Sequence, residues 1–129
     1  MHVENYLKKI RHRKEGEDYW IKAGKNKFIV ILKNMKSRGV GRLSSITGND
    51  IDEHIEVIYH LIHENRTINI KVEVSKKKCE IGTVTNIYPG AELFERELYE
   101  MLGIKVIGHP NLKKLFLDEK SPKNPLRKD

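Results

Sequence analysis

Three features predict an α+β fold, mainly an antiparallel sheet built from hairpins with two to four helices and an irregular C-terminal tail. Apolar residues alternate strictly over 67–74. A second run of strand length precedes it across Glu64-Asn65-Arg66, and one long amphipathic helix follows over 91–102.

The elements follow in order. Val3, Tyr6, Leu7 and Ile10 fall at helical spacing, so residues 2–14 read as a short helix with a basic outer face, ended by Gly16. Residues 18–23 open a strand. Asn26 is placed to cap a helix carrying Phe28, Ile31, Leu32 and Met35, with Gly39 as its stop. Residues 41–47 suggest a strand leading into a Gly48-Asn49-Asp50 turn. Both periods fit 54–62, and the hairpin turn that follows decides for strand. Lys76–Lys78 supply another turn, and 79–88 a further strand that Gly82 weakens. Pro89-Gly90 ends the sheet, the helix over 91–102 stops at Gly103, and Pro122 and Pro125 mark a tail without regular structure. Residues 1–120 are thus expected to form one domain and 121–129 an extended arm.

The 129 residues carry a net charge of +7, concentrated at 8–14, at Lys76–Lys78 and in 105–129. Such an excess attracts nucleic acid, anionic lipid or acidic proteins. Against a nucleic-acid-binding module, which stays as the alternative, the strand over 67–74 holds no aromatic residue for base stacking. One cysteine, Cys79, excludes an internal disulfide and a cluster or zinc site built from this chain's own thiolates. The longest apolar run, 28–32, is far short of the roughly 20 residues that cross a bilayer, and no signal peptide is visible, so the chain reads as soluble and intracellular. His54, His60, His63 and His109 show no metal-ligand motif, and neither a phosphate loop nor a nucleophile elbow occurs. No catalytic, cofactor-binding or metal-binding residue is assigned.

On a wheel of the 91–102 helix, Ala91, Phe94, Leu98, Met101 and Leu102 form the apolar sector, and Glu97 lies between it and Leu93. A carboxylate facing a core needs a partner, so Glu97 is either near a basic group or at the margin of a protein interface, and is expected to be shielded and paired with a basic group in the assembled complex. Glu92, Arg96 and Glu100 are four apart on the opposite face and read as a solvated or partner-facing stripe.

The segment from Tyr88, YPGAELFERELYEMLGIKVIGHPNLKKLFL, resembles the signature of the respiratory complex I 30 kDa subunit family of NADH:quinone oxidoreductases, in the short form found in energy-converting membrane-bound [NiFe] hydrogenases. The matching elements are Pro89-Gly90-Ala91, Glu95-Arg96-Glu97, Glu100, Gly103-Ile104, Gly108-His109-Pro110 and Leu112-Lys113-Lys114. Residues 43–61 and the closing Pro125-Leu126-Arg127-Lys128-Asp129 extend the resemblance. Glu100 stands where Asp is usual, and Lys113-Lys114 replaces a pair often containing Arg. The resemblance implies a protein that binds no redox cofactor and packs against a hydrogenase-like large subunit and an iron–sulfur small subunit. Its complex would contain iron–sulfur clusters and, as a further option, a [NiFe] centre, peripheral to the cytoplasmic side of the cell membrane. The signature residues, Pro125, Leu126, Arg127 and Lys128 among them, would then serve the interface between subunits.

Overall fold

A computed structural model describes residues 3–112 and 125–128. The chain runs α1 (Val3–Leu7), β1 (Arg13–Glu15), β2 (Asp18–Ala23), α2 (Phe28–Ser37), β3 (Arg42–Asp50), β4 (Ile55–His63), β5 (Arg66–Val74), β6 (Glu80–Gly82), α3 (Ala91–Leu102) and β7 (Lys105–Ile107). Five strands form one sheet in the order β1-β2-β5-β4-β3, and β6 and β7 form a second, two-stranded sheet. The fold is α+β, as the alternating strands and the long helix predict.

The hairpins are where the turn chemistry puts them. β4 and β5 pair antiparallel from Ile55↔Val74 to His63↔Arg66, and Glu64 takes the left-handed conformation (φ 57°) that a tight two-residue turn requires. β3 pairs antiparallel with β4, while β2 lies parallel to β5. Parallel neighbours need a crossover, here α2 together with the β3–β4 hairpin. Ile68, Ile70, Val72 and Val74 on β5 and Ile55, Val57, Tyr59 and Leu61 on β4 point to one face of the sheet and are fully buried. α2 covers that face with Phe28, Leu32 and Met35, also fully buried, and Phe28 stacks on Tyr59 at 5.2 Å between ring centroids. Packing of this kind overrides the weak helix propensity of Ile29-Val30-Ile31.

Four expectations are corrected. The helix over 2–14 stops at Leu7, and its basic second half becomes a loop and β1; beyond Ile10, which still packs against the core, no apolar residue could anchor another helical turn. α2 begins after Lys27 rather than Asn26, with no side-chain cap. Gly48-Asn49-Asp50 stays in β3, and the turn comes one residue later, where Asp52 has φ 76° and Asp50 Oδ1 accepts the Asp52 amide at 2.9 Å. The strand over 79–88 shrinks to Glu80–Gly82, which pairs in parallel with β7 outside the main sheet. From Thr83 the chain is bent into a loop that α3 holds, as described below.

Gly48 stays in the strand because α3 crosses directly over it. A Cβ there would meet Leu102 Cδ1 at 2.5 Å and Leu98 Cδ2 at 2.8 Å. Gly48→Val should therefore push the helix off the sheet and destabilise the chain by about 2–3 kcal/mol. Urea unfolding of the variant beside the parent checks this, and equal midpoints would show that α3 tolerates displacement.

Candidate functional site

α3 joins the two sheets. Ala91, Leu98 and Leu102 are buried, Leu98 and Leu102 over β3, and Gly103 closes the helix in the left-handed conformation (φ 72°), its amide donating to Tyr99 O at 2.9 Å. The helix is also covered away from the sheet. Glu95 is 1% exposed, Arg96 6% and Glu100 0%, whereas Glu97 is exposed.

Within the chain alone, burial does not follow the helix wheel. Glu97 is not the carboxylate that the fold shields, and Arg96 and Glu100 are not a solvated stripe. The wheel treats a helix as having one buried side, but α3 is covered over most of its circumference, and only Leu93 and Glu97 along it are exposed. Arg96 and Glu100 both have interaction partners.

The carboxylate of Glu95 ties α3 to the segment after β6. Glu95 Oε1 accepts the Thr83 hydroxyl at 2.6 Å, and Oε2 accepts the Val84 amide at 2.8 Å. Thr83 Oγ1 in turn accepts the Thr85 amide at 3.2 Å. Burial pushes the Glu95 carboxyl above its ordinary value, opposed by the hydrogen bonds from the Thr83 hydroxyl and the Val84 amide. Tyr59 lies in the same interior. Its phenol, raised well above the ordinary value by burial and by the charge of Glu95, has no hydrogen-bond partner among the described residues.

His109 ties the far end of the signature back to α3. Its side chain is fully buried: Nε2–H donates to Glu92 O at 2.9 Å, and Nδ1 accepts the Asn111 amide at 2.9 Å. A carbonyl can only accept and an amide can only donate, so with these partners Nε2 acts as the donor and Nδ1 as the acceptor. Gly108 (φ 85°) makes the turn that delivers the ring, and a Cβ there would meet Thr83 Cγ2 at 3.1 Å. Pro110 follows on the exposed surface, and Leu112 packs against the core. Lys113 and Lys114 lie outside the described residues.

The closing motif is anchored to the domain. The Leu126 amide donates to Met101 O at 2.8 Å, Arg127 Nη1 to Leu102 O at 2.9 Å and the Lys128 amide to Asp50 Oδ2 at 2.8 Å. Arg127 also lies 3.6 Å from Cys79 Sγ. Lys76 Nζ approaches Asp50 Oδ1 at 2.7 Å, and this contact, with the amides of Lys128 and Asp52, holds the Asp50 carboxyl far below the usual carboxylate range. A guanidinium on the last carbonyl of α3 also complements the negative end of the helix dipole.

His54, His60 and His63 are each engaged on the sheet. His60 lies between Asn69 Oδ1 at 2.7 Å and Thr47 Oγ1 at 3.0 Å, His54 is 3.6 Å from Glu73, and His63 is 3.8 Å from Glu64. Among the described residues no three His, Cys, Asp or Glu side chains gather as a metal would need, and no helix is long and apolar enough to cross a membrane.

Three measurements test the anchors. Glu95→Ala leaves the Val84 amide and Thr83 hydroxyl buried without their acceptor and should cost about 2–4 kcal/mol in urea unfolding, whereas Glu95→Gln keeps an acceptor for Val84 and should cost less. The folded Glu95 carboxyl holds its proton more tightly than the unfolded one. Stability relative to Glu95→Gln should therefore fall as pH rises from the ordinary 4.5 through the raised value, and a flat difference would contradict the burial of this charge. Asp50 has the opposite sign, since its carboxyl is held down. Its contribution is present above the ordinary 3.8 and lost in stronger acid, and Asp50→Asn should make the bonds after Arg127 and Lys128 more susceptible to trypsin.

The chain is similar to known proteins over most of its length. Residues 21–129 match the family model described as Respiratory-chain NADH dehydrogenase, 30 Kd subunit. The chain is 40% identical over 103 residues to the C/D subunit of the NADH-quinone oxidoreductase of Phocaeicola vulgatus, covering 77% of this chain and 20% of that protein. Against the Yersinia pestis protein of the same name it is 42% identical over 80 residues, 60% of this chain and 13% of that one. It thus spans a fifth or less of the length of these curated relatives. The fold matches the trypsin-resistant fragment (1-134) of Nqo5 with a TM-score of 0.74 at 24% identity, over 87% of this chain and 100% of that one. It also matches a chain of the membrane-bound sulfane sulfur reductase, an archaeal respiratory membrane complex, with a TM-score of 0.81 at 23% identity, over 92% of this chain and 76% of that one. With the family model matched from β2 to the closing motif, the chain belongs to the 30 kDa subunit family of the respiratory-chain NADH dehydrogenase.

Proposed function

We propose that the chain is a docking and assembly protein, itself binding no redox cofactor, in the peripheral arm of a complex I-like membrane-bound oxidoreductase of the hydrogenase or NADH-dehydrogenase type. In this reading it seats a hydrogenase-like large subunit and the small subunit that bears the proximal iron–sulfur cluster, on the cytoplasmic side of the membrane. The observation that carries it is how α3 is used. Its polar signature residues Glu95, Arg96 and Glu100 are turned inward, so the helix is held rigidly on both sides. The face left outward presents Leu93, 55% exposed, next to Glu97. A fixed helix with an exposed apolar anchor suits a protein interface better than a reaction centre. A single cysteine and the lack of a gathered ligand set among the described residues are compatible with clusters carried by neighbouring subunits.

Deleting the gene in the native host should abolish activity of the membrane complex, and a tagged copy should bring down a large-subunit homologue. Full activity in the deletion strain with no such partner on the tag overturns the reading. Leu93→Glu refines it: a surface change should move unfolding stability by less than about 0.5 kcal/mol while reducing recovery of the complex. Undiminished recovery would remove this face of α3 from the interface.

A further inference from the structure

The basic run at 8–14 is left without a role by the docking reading, and it lies ahead of the residues that match the family model, 21–129. In the folded chain β1 pairs with β2 only from Glu15↔Asp18 to Arg13↔Trp20, and β1 ends the sheet. On its other side β2 stays paired with β5 through Ala23↔Val72. From Ile21 to Ala23, β2 therefore has no neighbouring strand on the β1 side among the described residues. A cavity of about 430 Å³ opens at this place, lined by Arg11, His12, Arg13, Trp20, Lys22 and Lys71 together with Ile21. Four of these side chains are cationic, and no carboxylate lines the cavity.

The cations are available to a ligand. Arg13 pairs with Glu15 and Lys22 with Glu73, each at 3.0 Å, and Lys71 lies 3.6 Å from Glu56. Arg13, Glu15 and Lys22 are more than half exposed, so these pairs are weak and exchange readily. Arg11 is exposed and has no ion pair among the described residues. Trp20 is half-buried, with Lys71 Nζ 5.6 Å from its ring centroid.

An open strand edge takes up extended backbone, and a lining of Arg and Lys takes up carboxylates, Arg in two-point fashion. An acidic extended polypeptide meets both requirements at once. A single half-buried tryptophan is a poor stacking platform for nucleic acid and is not placed to enter a bilayer. We propose that the open edge of β2, beside Arg11 and Arg13, pairs with an extended acid-rich segment of a partner protein of the complex, with alternate carboxylates facing Lys22 and Lys71. Lys22 and Lys71 are register partners, so they lie side by side on one face of the sheet, and the alternate side chains of an added strand would fall on that same face. This rests on the docking reading and gives the chemistry of one of its contacts.

Trp20 is the single tryptophan of the chain, so its emission reports on this site alone. The full chain is titrated with a blocked octapeptide of alternating threonine and glutamate. Expected is a saturable change in emission that weakens as salt rises, with affinity at least about tenfold lower for the threonine–glutamine octapeptide and for the Arg11→Ala/Arg13→Ala variant. Both side chains are exposed, so thermal unfolding should be unchanged in that variant. If it is not, Lys22→Ala carries the same test. Absence of saturation, equal affinity for the glutamine peptide, or tighter binding of phosphatidylglycerol vesicles or of an oligothymidylate at the same salt overturns the proposal. These outcomes leave the docking reading standing, because they concern the isolated chain. Failure of that reading is seen instead when the tagged chain, still binding the peptide, recovers no large-subunit homologue.

Discussion

Much of the C-terminal half depends on one carboxylate accepting two hydrogen bonds away from water. Glu95 takes the hydroxyl of Thr83 and the amide of Val84, and in doing so it stops β6 after Gly82, bends the chain into the loop that leads to Pro89, and fixes the rotation of α3 about its own axis. A buried charge is costly unless its partners are in place. The same residue therefore discriminates against any arrangement in which the loop or the helix has shifted. Tyr59, whose phenol shares this interior, is the point at which the arrangement meets the core of the main sheet.

Around that carboxylate the signature behaves as a set of internal fastenings. His109 returns to the first turn of α3, Arg127 caps its last carbonyl, and Gly103 and Gly108 provide the two left-handed turns between them. Each fastening acts on the backbone, so what they jointly determine is the position of a rigid rod and of the short strand that follows it. The side chains best suited to chemistry are consumed in doing this. What remains outward on α3 is Leu93 and Glu97, a surface for contact.

The elements legible in the sequence are those whose information is local. Alternation over 67–74, the polar turn before it, and the Pro-Gly start and Gly103 stop of α3 located β4, β5 and α3 to within a residue or two. The parallel pairings of β2 with β5 and of β6 with β7 were not legible, because a parallel partner is chosen by the crossover and not by the strand. The burial of Glu95 was missed for a related reason. A helical wheel knows the apolar sector of α3 but not that a second layer covers the side where Glu95, Arg96 and Glu100 sit, and nothing between 92 and 100 marks that layer. Thr83-Val84-Thr85, a hydroxyl-rich stretch just before Pro89, was the available hint that a carboxylate would be received there. The basic run after Leu7 misled in the opposite direction, its charge suggesting a helix surface where the chain forms the edge of a sheet.

Asp50 receives Lys76 from the turn after β5 and the Lys128 amide from the closing motif, the latter 78 residues away in sequence. The entropy of closing a loop rises only slowly with its length, so distance adds little to the equilibrium cost of this contact but places it among the most non-local in the fold. The order of events follows. The β4–β5 hairpin and α3 are assembled from neighbours, and Lys76 reaches Asp50 as soon as β3 and β5 flank β4. The segment 125–128 has a carboxylate and two helix carbonyls to bind only once α3 lies on β3. The junction of β3, α3 and the closing motif is therefore a seam whose contacts exist only when three parts of the chain, far apart in sequence, are all in place.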